Sequence, residues 1–269
     1  MKRFKYAIGT VLALAAFYLV APFTAAAAGN SVTIAADPCS APLIQKLAEA
    51  YTLKHRDFKA EVSTFSCTLG VYKAAKGEFE IGVSTQNGLT SNLPKGAVNR
   101  VVAKSPIVLI VNRTNTVNNL SYRDLHGILS GNIKNWKEVG GKDLEIKNVM
   151  LEPCVRHTIS KQVVMYGENL ATLLPGKKVN PVTYTNTMVE ENEGAIGQQI
   201  YGYDSGNVLV LTIDGALPDE KTLGKTYTFY QDYNIVTRGE PAGAAKEFIE
   251  FVSSPEASDV MKSMKHVSN

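Results

Sequence analysis

Three cysteines are the residues of this chain best equipped for chemistry, and there are no others. Cys39 follows the apolar run Ser31-Val-Thr-Ile-Ala-Ala and precedes the helical pattern that starts at Ala41. Cys67 follows Ala60-Glu-Val-Ser-Thr-Phe and precedes Thr68-Leu-Gly-Val-Tyr-Lys-Ala-Ala. Cys154 follows Leu144-Glu-Ile-Lys-Asn-Val-Met-Leu and precedes Val155-Arg-His-Thr-Ile-Ser-Lys. Each stands where a strand hands over to a helix. A helix start offers free N–H groups and a partial positive charge, and that setting favours the thiolate. In open α/β folds, ligands bind beyond the carboxyl ends of the strands, where such turns lie. The pattern therefore predicts three soft ligands at the positions where the fold builds a site.

The elements that must position them alternate short apolar runs with helical patterns, the signature of an α/β architecture with mostly parallel strands. Strands are predicted at 31–36, 60–65, 79–84, 98–103, 106–112, 145–151, 181–184, 195–198, 207–213 and 229–236. Helices are predicted at 41–55, 68–76, 121–129, 155–172, 186–192 and 241–252, with a last one after Pro255. Glu240-Pro241 and Ser254-Pro255 read as helix starts. Ile107-Val-Leu-Ile-Val-Asn-Arg and Val208-Leu-Val-Leu-Thr-Ile-Asp-Gly read as two hinge strands crossing between lobes. The expected organisation is a signal peptide at 1–28, a first lobe of 29–110 plus 206–269, and a second lobe of 111–205.

The chain has 269 residues and a net charge of +3 with both signs interspersed, which excludes a dedicated nucleic-acid binder. Lys2, Arg3 and Lys5, the apolar run Ala7–Val20 and the small residues Ala25–Ala28 read as a cleavable export signal, so a periplasmic location is expected. Export implies an oxidising compartment, where an odd number of cysteines leaves a thiol unpaired.

Several segments carry a family likeness. Ala41-Pro-Leu-Ile-Gln-Lys-Leu-Ala-Glu-Ala-Tyr, Lys76-Gly-Glu-Phe-Glu-Ile-Gly-Val-Ser, Leu120-Ser-Tyr-Arg-Asp-Leu-His-Gly-Ile-Leu-Ser-Gly-Asn-Ile-Lys-Asn-Trp, Asn192-Glu-Gly-Ala-Ile-Gly and Ile213-Asp-Gly-Ala-Leu-Pro occur in this order. Over residues 31–260 the chain resembles the periplasmic phosphate-binding proteins (PstS-like) of ABC transporters, two-lobed solute-binding proteins. The resemblance implies a type II periplasmic binding protein, a small inorganic ligand, a membrane partner and no enzymatic activity. It also implies phosphate held by amides and hydroxyls at helix starts with a charged clamp. The three loops depart from that pattern: Ala36-Asp-Pro-Cys39-Ser40, Ser63-Thr-Phe-Ser-Cys67-Thr-Leu-Gly70 and Leu151-Glu-Pro-Cys154-Val-Arg156-His157-Thr158 have lost glycines and gained one cysteine each. Asp37 and Glu152 add negative charge that would repel a dianion.

Sulfur selects soft species. Three thiolates suit arsenite, As(III), in a cysteine-substituted site like that of arsenite-sensing relatives of this family. Cu(I) fits the same set, and His157 would complete a Zn(II) set. An oxyanion, phosphate or arsenate, remains the alternative. A Cys39–Cys67 disulfide with a free Cys154 is the structural reading. Ser40, Thr68, Arg156 and Thr158 stand beside the cysteines as hydrogen-bond donors or as ordinary helix caps. Catalysis would need Cys154 and His157 as nucleophile and base, yet no third group orients them. The expectation is a monomeric binder without a cofactor that closes over its ligand. The closed form would then be read by an ABC permease or by the periplasmic domain of a sensor histidine kinase.

Overall fold

The computed structural model of the protein describes residues 30–66, 68–149 and 181–269. The expected signal peptide, Cys67, the helix expected at 155–172, and Cys154, Arg156, His157 and Thr158 lie outside the described residues.

The order begins β1 (Ser31–Ala36), α1 (Ala41–Lys54), β2 (Lys59–Thr64), α2 (Leu69–Lys76), β3 (Ile81–Thr85) and β4 (Ala97–Asn112). It continues with β5 (Asn119–Leu120), α3 (Tyr122–Leu129), β6 (Lys147–Val149), α4 (Pro181–Glu190), β7 (Ala195–Ile200), β8 (Val208–Val210) and β9 (Thr212–Ile213). It ends with β10 (Tyr230–Arg238), α5 (Gly243–Val252), α6 (Pro255–Ser263) and β11 (Val267–Ser268). No helix among the described residues is long and apolar enough to cross a membrane.

The first lobe grows from β1, whose alternate residues Val32 and Ile34 are fully buried. It pairs in parallel with β2 on one side and β3 on the other, so all three strands end at the same edge. Leu43, Ile44, Leu47 and Tyr51 of α1 bury one stripe of that helix against Val32, Ile34, Phe58, Phe248 and Ile249. Helix α2 lies flat on the sheet because glycines let it. A Cβ on Gly82 would stand 2.7 Å from Val71 Cα, and one on Gly70 would stand 2.9 Å from the Ala35 carbonyl oxygen. Gly77, in the left-handed region at φ 85°, ends α2 by donating to the Ala74 and Lys73 carbonyls.

Strand β4 joins the lobes. Its residues 97–106 pair antiparallel with β10, and residues 107–111 pair antiparallel with β7. The sequence suggested two strands, 98–103 and 106–112, and Pro106 at their junction cannot donate to a ladder. The strand nevertheless runs through. The Pro106 carbonyl accepts from Tyr201, and Ile107 donates to the Phe229 carbonyl at 2.9 Å. Residues 208–215 do not form a crossover. Val208–Val210 pairs with the end of β4, and Thr212–Ile213 forms a separate two-stranded sheet with Asn119–Leu120. From Tyr230 the chain runs as β10, which pairs antiparallel with β3 and β4.

Residues 181–184 are helical, where a strand was expected. The β-branched run Val182-Thr183 suggested the strand, but α4 starts at Pro181 and packs over β7, whose Gly197 lacks a side chain there. A Cβ on Gly197 would stand 2.4 Å from Thr185 Cγ2 and 3.0 Å from Val189 Cγ2. Tertiary packing overrides propensity at this point. Helix α5 starts at Gly243, two residues beyond the Glu240-Pro241 expectation, whereas Ser254 caps α6 as its sequence suggested by accepting from the Ala257 N–H.

In the second lobe, Trp136 anchors the cluster that holds Leu109, Ile128, Ile196 and Phe229. Its short 3-10 turn is held by a capping box between Asn135 and Glu138, and its indole N–H donates to the Gly194 carbonyl at 3.0 Å.

Candidate functional site

The three parallel strands of the first lobe deliver their carboxyl ends to one edge, where α1 and α2 begin. The β1–α1 loop is organised by one carboxylate. Asp37 Oδ1 accepts from the Cys39 and Ser40 N–H groups, both at 2.8 Å, and Oδ2 accepts from the Thr85 N–H at 2.9 Å. The Ser84 hydroxyl also bonds to it. The Asp37 carbonyl takes the Ala41 N–H at 2.9 Å. Asp37 is fully buried, and burial pushes its carboxyl above the usual range against the pull of these donors. Every named partner donates, which is the pattern an ionised carboxylate requires.

Cys39 behaves differently from the sequence expectation. Burial, reinforced by the Asp37 charge, pushes its thiol well above the ordinary range. The amides that were to favour a thiolate are spent on Asp37, and only 2% of Cys39 is exposed. Its sulfur is free of a disulfide. Among the residues of β1 through β3, Cys39 alone joins the hydrophobic cluster of the second lobe. Tyr203, at the exit of β7, packs against the same cluster. Its phenol is pushed up by burial and further by Cys39 and Asp37. Tyr233 of β10 donates its hydroxyl to the Ser40 carbonyl at 2.7 Å. Thr85 Oγ1, 1% exposed at residue level, has no hydrogen-bond partner among the described residues.

Ser40 and Thr68 occupy N-cap positions without making a side-chain cap bond. Ser40 Oγ faces the Val83 and Asp37 carbonyls at 3.1 and 3.2 Å and accepts from the Asp37 N–H. It is a loop brace. The β1 and β2 exits are neighbours, since Phe65 donates to the Ala36 carbonyl at 2.9 Å, so the Cys39 and Thr68 turns share one edge. Among the described residues no group of three or more His, Cys, Asp and Glu side chains is placed to hold a metal. Trp136, His55 and His126 stand apart from this edge, with His55 stacked on Tyr51.

Sequence reasoning read Asp37 as repulsion and missed it as the loop's organiser. An Asp followed two and three residues later by amides at a strand exit is an Asx-turn signal that was there to be read. Tyr203, Tyr233 and Thr85 carry no such signal, because distant segments bring them to the loop.

A second buried group lies at the junction. His266 Nδ1 meets Ser105 Oγ of β4 at 2.9 Å, and its ring faces Tyr203 and Tyr233 at 5.6 and 6.1 Å. Just before it, the chain runs so close to Gly202 that a Cβ there would stand 2.3 Å from the Met264 carbonyl oxygen.

Known proteins share this fold. The chain is 28% identical over 244 residues to the phosphate-binding protein PstS of Bacillus subtilis, covering 88% of this chain and 79% of that one. A Clostridium perfringens protein solved with bound phosphate superimposes with a TM-score of 0.79 at 26% identity, covering 89% of this chain and 99% of that chain. An ABC-type phosphate transport receptor from Vibrio cholerae gives 0.69 at 26% identity, covering 88% and 99%. These likenesses match the mixed α/β, two-lobed architecture described above. The profile of the PBP superfamily domain matches residues 21–256, and the chain belongs to that family.

Proposed function

We propose that this protein is a periplasmic solute-binding protein of the phosphate-binding type. It takes a small inorganic oxyanion between its lobes and presents the closed form to an ABC permease. The likeness to a protein solved with bound phosphate, extending over 99% of that chain, carries the reading. The protein acts as a binder and needs no cofactor. The export-like N-terminus supports the location. Among the described residues, the distribution of the hydrophobic clusters supports a first lobe of 30–66, 68–106 and 230–269 and a second of 107–149 and 181–229, joined by β4 and the return at Phe229–Tyr230. The loops after β1 and β2, with Thr85, form the first lobe's wall of the cleft.

A second reading draws on one observation: Cys39, a first-lobe residue, sits in the second lobe's cluster. Cys39, Cys67 and Cys154 would then converge on arsenite, or on Cu(I) or Zn(II), with Ser40, Thr68, Arg156, His157 and Thr158 around them, and a sensor kinase would read the closed form. Titration calorimetry of the reduced protein with phosphate, arsenate and arsenite separates the two. Phosphate is expected to bind at one equivalent, and Cys39→Ser to change its affinity by less than about tenfold, roughly 1.4 kcal/mol. Arsenite binding without phosphate binding, abolished in Cys39→Ser, would reverse the order of the two readings.

A further inference from the structure

We infer that the protein pairs with a second copy of itself through β2, the edge strand of the first lobe, in an antiparallel register centred on Ala60. Lys59 of each copy then faces the partner's Glu61. The binder expected as a monomer is, on this inference, a reversible dimer.

Among the described strands β2 ends the sheet, with β1 on its paired side. Lys59 donates to the Asn30 carbonyl and Phe65 to the Ala36 carbonyl, so the odd-numbered residues turn their backbone groups toward β1. By alternation, the N–H and C=O groups of Ala60, Val62 and Thr64 point outward, a row that a second strand can satisfy. Beside this row lies a groove of about 780 Å³ whose walls include Ala48, Thr52 and Leu53 of α1 and Phe58, Ala60 and Val62. Leu53 is 80% exposed, more than any other large hydrophobic residue described. The charges choose the occupant and its register. Ala60 and Val62 pack toward the α1 cluster, whereas Lys59 and Glu61 are exposed on the opposite face. Neither takes part in an ion pair among the described residues. In an antiparallel self-pair, outward residues must oppose outward residues. A two-fold axis at Ala60 sets Lys59 opposite the partner's Glu61 twice, and Phe58 opposite the partner's Val62. Moving the axis to Glu61 sets that carboxylate against its own copy, and moving it to Val62 leaves both charges opposite uncharged residues. Opposite charges directly across a strand pair stabilise it and like charges destabilise it, so the Ala60 register wins. Both copies use the same edge, so the contact closes at two. The axis stands toward the amino end of β2, while the loop that faces the cleft leaves its carboxyl end.

The test is sedimentation velocity of the mature protein from low to high micromolar concentration, with circular dichroism as the check on folding. The wild type is expected to pass from monomer to dimer across this range. Lys59→Glu and Glu61→Lys each set like charge against like charge, and each is expected to raise the dissociation constant about tenfold or more. The double reversal restores opposite charges and is expected to bring the constant back to within about threefold of the wild type. Oxidative cross-linking reads the register independently of the charge variants. At the axis residue 60 meets its own copy with Cα atoms about 5.5 Å apart, within disulfide reach. Ala60→Cys is therefore expected to yield a linked dimer above the wild-type background, and Val62→Cys is not. A wild type that stays monomeric at every concentration would overturn the inference. So would a dimer indifferent to the single charge reversals, or a link through Val62→Cys without one through Ala60→Cys.

Discussion

Replacing Trp136 by alanine is expected to lower the unfolding free energy by about 3–5 kcal/mol, the range for deleting a large buried aromatic side chain. The chain has one tryptophan, and 1% of it is exposed. Its indole fills the centre of the second lobe's cluster, and its N–H satisfies the Gly194 carbonyl. Gly194 leads directly into β7, and a Cβ there would stand 2.2 Å from the Glu145 carbonyl oxygen, so the backbone around it has little room to collapse into the void. Trp136→Phe keeps most of the apolar volume but abandons the hydrogen bond, and is expected to cost about 1–3 kcal/mol. Urea unfolding followed by far-ultraviolet circular dichroism measures both. Equal losses for the two variants would show that the indole contributes no more than a phenyl ring.

The second large effect is a loss of stability on acidification that passes through His266. Burial lowers its pKa from 6.5 to about 4. A folded-state value below the unfolded one means that the folded protein binds fewer protons in this window. The group therefore has no effect well above 6.5, and stability falls as pH drops from there through about 4. At about 1.4 kcal/mol per unit, the loss amounts to roughly 3 kcal/mol once the lower value is passed. Asp37, whose carboxyl is raised in the folded state, works in the opposite direction as pH falls. The difference between the wild type and His266→Gln isolates the histidine. The wild type is expected to lose its urea midpoint faster than the variant between neutral and mildly acidic pH. Parallel losses would show that His266 is not buried in its neutral form.

Much of the fold was legible because the local signals agreed with one another. The stripe of α1, the Ser254 cap of α6 and the strand at 31–36 each combine periodicity with a boundary residue. The failures share a cause. Residues 181–184 read as strand from their branched side chains and fold as helix because a glycine across the sheet makes room. The run at 208–213 has the composition of a crossover, but pairing is a long-range choice, and it joined β4 and β5 instead. The candidate site shows the same division. The position of Cys39 at a strand exit was readable, whereas its protonation was not. A helix start favours a thiolate only while its amides are free, and here an acid two residues earlier has claimed them. Tyr203 and Tyr233 reach Cys39 and Ser40 from across the molecule, and no local pattern announces such contacts.

The sixteen residues of β4 run through both halves, pairing with β10 over 97–106 and with β7 and β8 over 107–112. Melting either half would strip one stretch of this shared backbone of its partners and expose hydrogen-bonding groups in the other. The halves of this clamshell are thereby wired in series, so heat should take the whole body apart in a single step even though its motion in use divides it in two.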